Sequence, residues 1–128
     1  MRSSIWFNGD TETSLSHRVA LRSIGVEIDS DNKKPIIGIA DSSSDLNPCN
    51  LPLRALIEDV KKGVIEAGGI PLAFPVTSLG EDLMKPSAML YRNLLSIEVE
   101  ENLRSYPIDG VVLLANCDKS VPGALMGA

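Results

Sequence analysis

Cysteine, histidine and aromatic residues are scarce in this chain: its 128 residues hold 2 Cys and 1 His, and aromatics make up 4%. The two thiols, Cys49 and Cys117, stand far apart and form neither a disulfide framework nor a CxxC pair, so they read as free thiols or ligands. The lone histidine, His17, falls in a mixed polar stretch and reads as structural or exposed rather than catalytic. Positive charge is in short supply as well. With 12 Lys plus Arg against 17 Asp plus Glu, the net charge of −5 gives no electrostatic reason to approach nucleic acid or anionic membranes. Long apolar runs are also missing. The opening Met1-Arg2-Ser3-Ser4-Ile5-Trp6-Phe7-Asn8 is interrupted before secretory length, and no later run nears membrane-spanning length, so a cytoplasmic protein is expected. What is present, 44% hydrophobic and 23% charged residues with 10 Gly and 8 Pro, describes one soluble globular unit or part of one.

Residues 1–34 are mixed and charged and read as an N-terminal arm, closed by the turn-forming Asp29-Ser30-Asp31-Asn32. The apolar, β-branched run Pro35 to Ala40 predicts a strand buried on both faces. From Leu53 the positions Leu53, Leu56, Ile57, Val60, Val64 and Ala67 recur at helical spacing, and Gly68-Gly69 supplies a stop. Ile70 to Val76 predicts a second strand, with Pro71 and Pro75 arguing for an edge position. A helical stretch follows from about Ser87 to Ser105, with Ser96 a candidate cap for a break. Val111 to Ala115 is a third strand, Asn116 to Ser120 its exit loop, and Pro122 a helix start. This strand and helix alternation predicts an α/β fold, a parallel sheet with crossover helices in an α/β/α sandwich. Three strands with few elements to cover them suggest an incomplete N-terminal domain spanning 35–128.

Ligands of open α/β sheets bind outside the carboxyl ends of the strands. The three exit loops there carry Asp41, Asp45 and Cys49; Glu81 and Asp82; and Cys117, Asp118 and Lys119. Neighbouring strands lie about 4.8 Å apart, so these side chains can converge. Thiolates suit iron–sulfur clusters or zinc and carboxylates suit magnesium or manganese, so the mixture suits two centres of different softness. Adjacent Cys117 and Asp118 could face one centre each, near a helix start that favours negative charge. Taken singly, each residue also has an ordinary explanation. A cysteine after a strand is often a small buried hydrophobe, loop acids are often merely solvated, and a lysine ammonium has no lone pair for a metal.

The segment Cys117-Asp118-Lys119-Ser120-Val121-Pro122-Gly123-Ala124-Leu125-Met126-Gly127 resembles the CDKxxPGxxxG signature of the dihydroxy-acid and 6-phosphogluconate dehydratase family, matching every fixed position. Asn47-Pro48-Cys49-Asn50 is similar to that family's PCN segment, and Lys61 to Gly69 to its following helix. The likeness runs from Arg2-Ser3 to Ala128 but covers only the family's N-terminal part. Within the family, Lys85-Pro86-Ser87-Ala88-Met89-Leu90-Tyr91-Arg92-Asn93, together with Glu81, resembles the branch acting on aldonic sugar acids. Two departures stand out: Asp41 and Ser43 where the family often has Asn and an aromatic, and Leu51, Pro52 and Leu53 where it often has a His.

The resemblance implies that Cys49 and Cys117 bind an iron–sulfur cluster, [2Fe–2S] or [4Fe–4S], whose further cysteine lies beyond residue 128. It implies that Glu81, Asp118 and a carbamylated Lys119 hold Mg²⁺, the carbamate turning an unsuitable ammonium into an oxygen ligand. The implied reaction removes water from a 2,3-dihydroxy acid to give a 2-keto acid. Mg²⁺ would grip the carboxylate and 2-hydroxyl, and a cluster iron would act on the departing 3-hydroxyl. The base would be a serine outside this chain, the partner a small hydroxy acid rather than nucleic acid or membrane, and the full-length protein a homo-oligomer. Three other readings stay open: a dihydroxy-acid dehydratase of branched-chain amino-acid synthesis, a non-catalytic fragment or pseudoenzyme, and a phosphate-binding module at Pro122. The last lacks a glycine anywhere from Asn116 to Val121.

Overall fold

The computed structural model describes residues 1–128. Three parallel strands, β1 (Ile36–Asp41), β2 (Ile70–Pro75) and β3 (Gly110–Leu114), form one sheet in the order β2-β1-β3. The strand with the most β-branched residues takes the centre, where it is paired on both sides. Ile36 lies opposite Ile70 and Asp41 opposite Pro75 on one side, while Ile37 lies opposite Gly110 and Asp41 opposite Leu114 on the other. β2 is an edge strand, as its two prolines predict, because a residue without an N–H is best tolerated there.

Strand alternation divides the packing between the two sheet faces. Ala40, Phe74, Val111 and Leu113 meet Leu95, Val99 and Leu103 of α4 (Arg92–Ser105). On the same face but at the opposite end, Ile36, Ile70 and Leu72 meet Phe7 and Ile28. Residues 1–34 are therefore a folded cover. Two helices, α1 (Ser4–Phe7) and α2 (Glu12–Arg22), organise them, the second capped by Thr11, whose hydroxyl accepts from the Ser14 N–H. His17 packs within this cover, with Nδ1 3.1 Å from the Trp6 carbonyl oxygen and its ring 4.9 Å from the Trp6 ring. On the other face, Val60 and Val64 of α3 (Ile57–Glu66) line an apolar groove with Ile37 and Val112. The chain leaves α3 through Gly68, whose φ of +84° belongs to the left-handed region that glycine enters without steric cost.

Three local expectations need correcting. Helix α3 does not begin near Leu53: Leu51–Leu56 is a tight 3₁₀ segment with Pro52 in its first turn, and the α-helix follows from Ile57. Ser96 does not break the next helix, because Leu95, Val99 and Leu103 recur at four-residue spacing and need an unbroken turn geometry to meet the sheet together. Pro122 does not start the last helix either. α5 (Cys117–Gly127) begins five residues sooner and absorbs the expected exit loop, since Asn116 caps it by accepting from the Cys117 N–H at 2.9 Å. Pro122 sits inside α5, where its missing N–H forgoes the bond to the Asp118 carbonyl.

α5 then packs closely on α4, and the glycines of the sequence signature explain how. A methyl group built on Gly127 would lie 2.3 Å from the Ser96 carbonyl oxygen and 2.8 Å from Val99 Cβ, and one on Gly123 3.0 Å from Arg92 Cγ. Only hydrogen fits at Gly127 without movement of the helices. The contact seats the second half of α5 on α4, and the helix carries Cys117, Asp118 and Lys119 at its other end.

Candidate functional site on the carboxyl edge of the sheet

With β1 central, its exit loop lies between those of β2 and β3. Two fully buried asparagines flanking Pro48-Cys49 fasten it to each neighbour. Asn47 Nδ2 donates to Ser78 Oγ on the β2 side at 3.0 Å. Asn50 Nδ2 donates to Ser42 Oγ at 2.9 Å and to Ser120 Oγ in α5 at 3.3 Å. Ser42 Oγ in turn donates to the Leu114 carbonyl at 2.6 Å. The Oδ1 atoms of both asparagines are buried without partners, so their donors hold them in place. Asn47, Asn50, Ser42 and Ser120 were not among the residues that sequence reasoning selected. The only signal was that two asparagines flank a proline and cysteine, which local spacing cannot connect to Ser78 or Ser120.

Cys49 and Cys117 come onto the same rim: Asn116, next to Cys117, donates from Nδ2 to the Cys49 carbonyl at 2.9 Å. The Cys49 thiol is exposed and donates to Asp82 Oδ2 at 3.6 Å. Desolvation, then the Asp82 charge and hydrogen bond, push its pKa up. Cys117 differs. It is half-buried, with a backbone φ of +73° that is uncommon and strained for a residue with a Cβ. Burial pushes its thiol up, but hydrogen bonds from the Ser120 hydroxyl and from the Ser120 and Lys119 N–H groups outweigh that and leave it below the ordinary value. Ser120 Oγ is 3.3 Å and Ser120 N 3.4 Å from its sulfur.

The oxygen donors gather beside the thiols. Lys119 Nζ donates to Asp118 Oδ1 at 2.9 Å and lies 3.9 Å from Glu81 Oε2, so carboxylates from α5 and from the β2 exit reach one nitrogen. Glu81 is held by the Ala88 N–H, which donates to Oε2 at 2.9 Å. The hydrogen bond to Asp118 raises the Lys119 pKa, helped by the Glu81 charge, and the same bond lowers that of Asp118. A cleft of about 20 Å³, room for about one water, opens between Lys119, Ser120, Thr77, Tyr91 and Arg92. The departures Asp41 and Ser43 satisfy one another: Asp41 accepts from the Ser43 N–H at 2.8 Å and from its hydroxyl at 3.0 Å. Asp45 stands in an exposed pair with Arg54 at 2.9 Å.

These donors suit soft and hard cations in kind, but they fall short in number. Two thiols are fewer than the four ligands usual for an iron–sulfur cluster, and no three His, Cys, Asp or Glu side chains converge on a common point. As an ammonium, Lys119 takes the place between Asp118 and Glu81 that a cation would occupy.

Fold and rim together define a parallel α/β domain presenting thiols and carboxylates at the ends of its strands. Residues 34–128 match the family model described as dihydroxy-acid/6-phosphogluconate dehydratase, N-terminal. The chain belongs to that family. The 6-deoxy-6-sulfo-D-gluconate dehydratase of Pseudomonas putida is 52% identical over 128 residues, covering 100% of this chain and 22% of the relative. The L-arabonate dehydratase of Azospirillum brasilense is 48% identical over 128 residues, with the same coverages of 100% and 22%. The dihydroxy-acid dehydratase of Methanobrevibacter smithii is 42% identical over 117 residues, covering 88% of this chain and 21% of the relative. The chain thus spans about a fifth of the length of these curated relatives. No helix is long and apolar enough to cross a membrane.

Proposed function

We propose that the whole protein to which these residues belong is a dehydratase that converts a 2,3-dihydroxy carboxylate, an aldonic sugar acid, to the 2-keto-3-deoxy acid. The C2 proton and the C3 hydroxyl leave as water, and the enol that remains tautomerises to the ketone. The observation that carries this reading is the meeting of Lys119 with both Asp118 and Glu81 beside the linked pair Cys49 and Cys117. Sugar-acid substrates are favoured over branched-chain ones because the sulfogluconate and arabonate enzymes exceed the dihydroxy-acid dehydratase in identity.

In this reading Cys49 and Cys117 hold part of an iron–sulfur cluster, and Glu81, Asp118 and carbamylated Lys119 hold Mg²⁺. When bound, the two centres supply Lewis acidity toward the substrate hydroxyls and carboxylate. The chain's own contribution is positioning. Asn47 and Asn50 lock the central loop to its neighbours, and the Ala88 N–H aims Glu81 at Lys119. The base and the remaining ligands come from outside these residues. Anaerobic purification of the whole protein tests the reading: iron, sulfide and Mg²⁺-dependent formation of a 2-keto acid from arabinonate, xylonate or 6-deoxy-6-sulfogluconate are expected. Absence of both iron and sulfide would overturn it.

A further inference from the structure

Asn50 is completely buried, yet its amide spends both donors on serine hydroxyls from different parts of the chain. A hydroxyl that accepts from Asn50 keeps its own hydrogen free to give elsewhere. Ser42 gives its hydrogen to the Leu114 carbonyl at 2.6 Å. Ser120, 4% exposed, accepts from the Cys117 thiol at 3.3 Å, and its own hydrogen is free to turn to that sulfur once the thiol has lost its proton. The Ser120 N–H points to the same sulfur at 3.4 Å. A deprotonated Cys117 would therefore receive two donors from one residue, and the hydroxyl among them is oriented by an amide anchored to the central strand's exit.

We infer that Ser120 is a positioning residue for the metal-bound form of Cys117, its hydroxyl held by Asn50 so that it donates to the thiolate and draws electron density from it. The inference rests on the proposed role of Cys117 as a cluster ligand and extends that role to residues with no ligand chemistry of their own. Hydrogen bonds to ligand sulfurs are among the features that set iron–sulfur potentials. A thiolate relieved of some charge donates less to its iron, which raises the cluster's potential and strengthens that iron as a Lewis acid. Asn50 keeps this donor in place because a serine in the first turn of a helix could otherwise rotate toward solvent or a backbone carbonyl.

The test compares Ser120→Thr with Ser120→Val, which differ by a hydroxyl against a methyl, alongside Ser120→Ala in the whole protein with its cluster assembled anaerobically. Iron content and the cluster's midpoint potential are read by redox titration of its visible spectrum. Ser120→Thr is expected to keep the wild-type potential, whereas Ser120→Val and Ser120→Ala shift it negative at equal iron content or lose the cluster several-fold faster in air. Equal potentials and equal air stability in the Thr and Val variants would overturn the inference. So would loss of the cluster from all three variants alike, which would make the position one of packing. Wild-type protein without iron or sulfide would remove the parent reading and this one together, whereas an iron-loaded wild type with indifferent variants would remove only this one.

Discussion

Asn116 and Cys49, distant in sequence, are joined by a hydrogen bond of 2.9 Å from the Asn116 side-chain amide to the Cys49 carbonyl. The same side chain caps α5 through its oxygen, accepting from the Cys117 N–H at 2.9 Å. One residue thus sets the start of the helix that bears Cys117 and pins the loop that bears Cys49. The spacing of the two thiols is held by backbone on both sides.

Asn116→Ala removes both bonds and is expected to lower stability by about 1–2 kcal/mol, from the loss of a cap and of one long-range hydrogen bond. Asn116→Ser keeps a capping oxygen but cannot reach Cys49, so its loss should be about half as large. Denaturant unfolding of the whole protein and both variants checks the order. Identical midpoints for the Ser variant and wild type would mean that the link to Cys49 contributes nothing.

Gly127→Ala is expected to destabilise by about 1–3 kcal/mol or more, the range for overpacking, because its methyl would fall 2.3 Å from a backbone oxygen that cannot rotate away. The lower thermal midpoint should be accompanied by faster amide exchange in the second half of α5, where it rests on α4. Gly63→Ala is the control. A methyl at Gly63 meets nothing within 4 Å, and alanine favours a helix, so no loss is expected there.

The sequence displayed the alternation of elements, the central and edge strands and the loops that carry chemistry, because buried strands and half-buried helices impose periods on nearby residues. Local spacing misplaced the start of α5, since Pro122 is a strong local signal for a first turn and Asn116 a weaker one. It also suggested a break at Ser96 that the buried face of Leu95, Val99 and Leu103 does not permit. The connections among Asn50, Ser42 and Ser120 could not be read in advance. They depend on which loops the strand order β2-β1-β3 makes neighbours, and that order is a non-local property of the sheet.

Asp109 supplies a pH dependence remote from the rim. Its carboxylate accepts from the Ser3 N–H at 2.9 Å, the Ser3 hydroxyl at 2.5 Å and the Ile36 N–H at 2.8 Å, tying the N-terminal arm to β1. Partial burial pushes its pKa up, but these donors prevail and hold it below the ordinary 3.8. The stabilisation is therefore complete above the unfolded-state value near 3.8 and is lost as pH falls through the lower folded-state value. Asp109→Asn should cost about 1.5–3 kcal/mol at neutral pH, the range for bonds to a charged group, and should make the acid limb of stability shallower. Unfolding midpoints between neutral pH and pH 3 measure both effects. An unchanged acid limb would show that Asp109 does not contribute to it.

Gly80 precedes Glu81, and the space beside it is taken by the fully buried Asn47. A methyl on Gly80 would lie 2.8 Å from Asn47 Oδ1 and 3.0 Å from its Cα, so the side chain cannot relieve the clash by turning alone. Either the Asn47 loop moves, loosening its bond to Ser78, or the β2 exit moves and carries Glu81 away from Lys119. Both shifts disturb the proposed Mg²⁺ site without removing a ligand. Gly80→Ala in the whole protein should therefore raise the Mg²⁺ concentration needed for half-maximal activity by about 10-fold, at the lower end of what loss of a supporting contact costs a metal site. Mg²⁺ titration of 2-keto acid formation, with iron content measured in the same samples, separates this from damage to the thiol side of the rim. A normal Mg²⁺ requirement would show that Glu81 keeps its place without the close approach of Gly80 to Asn47.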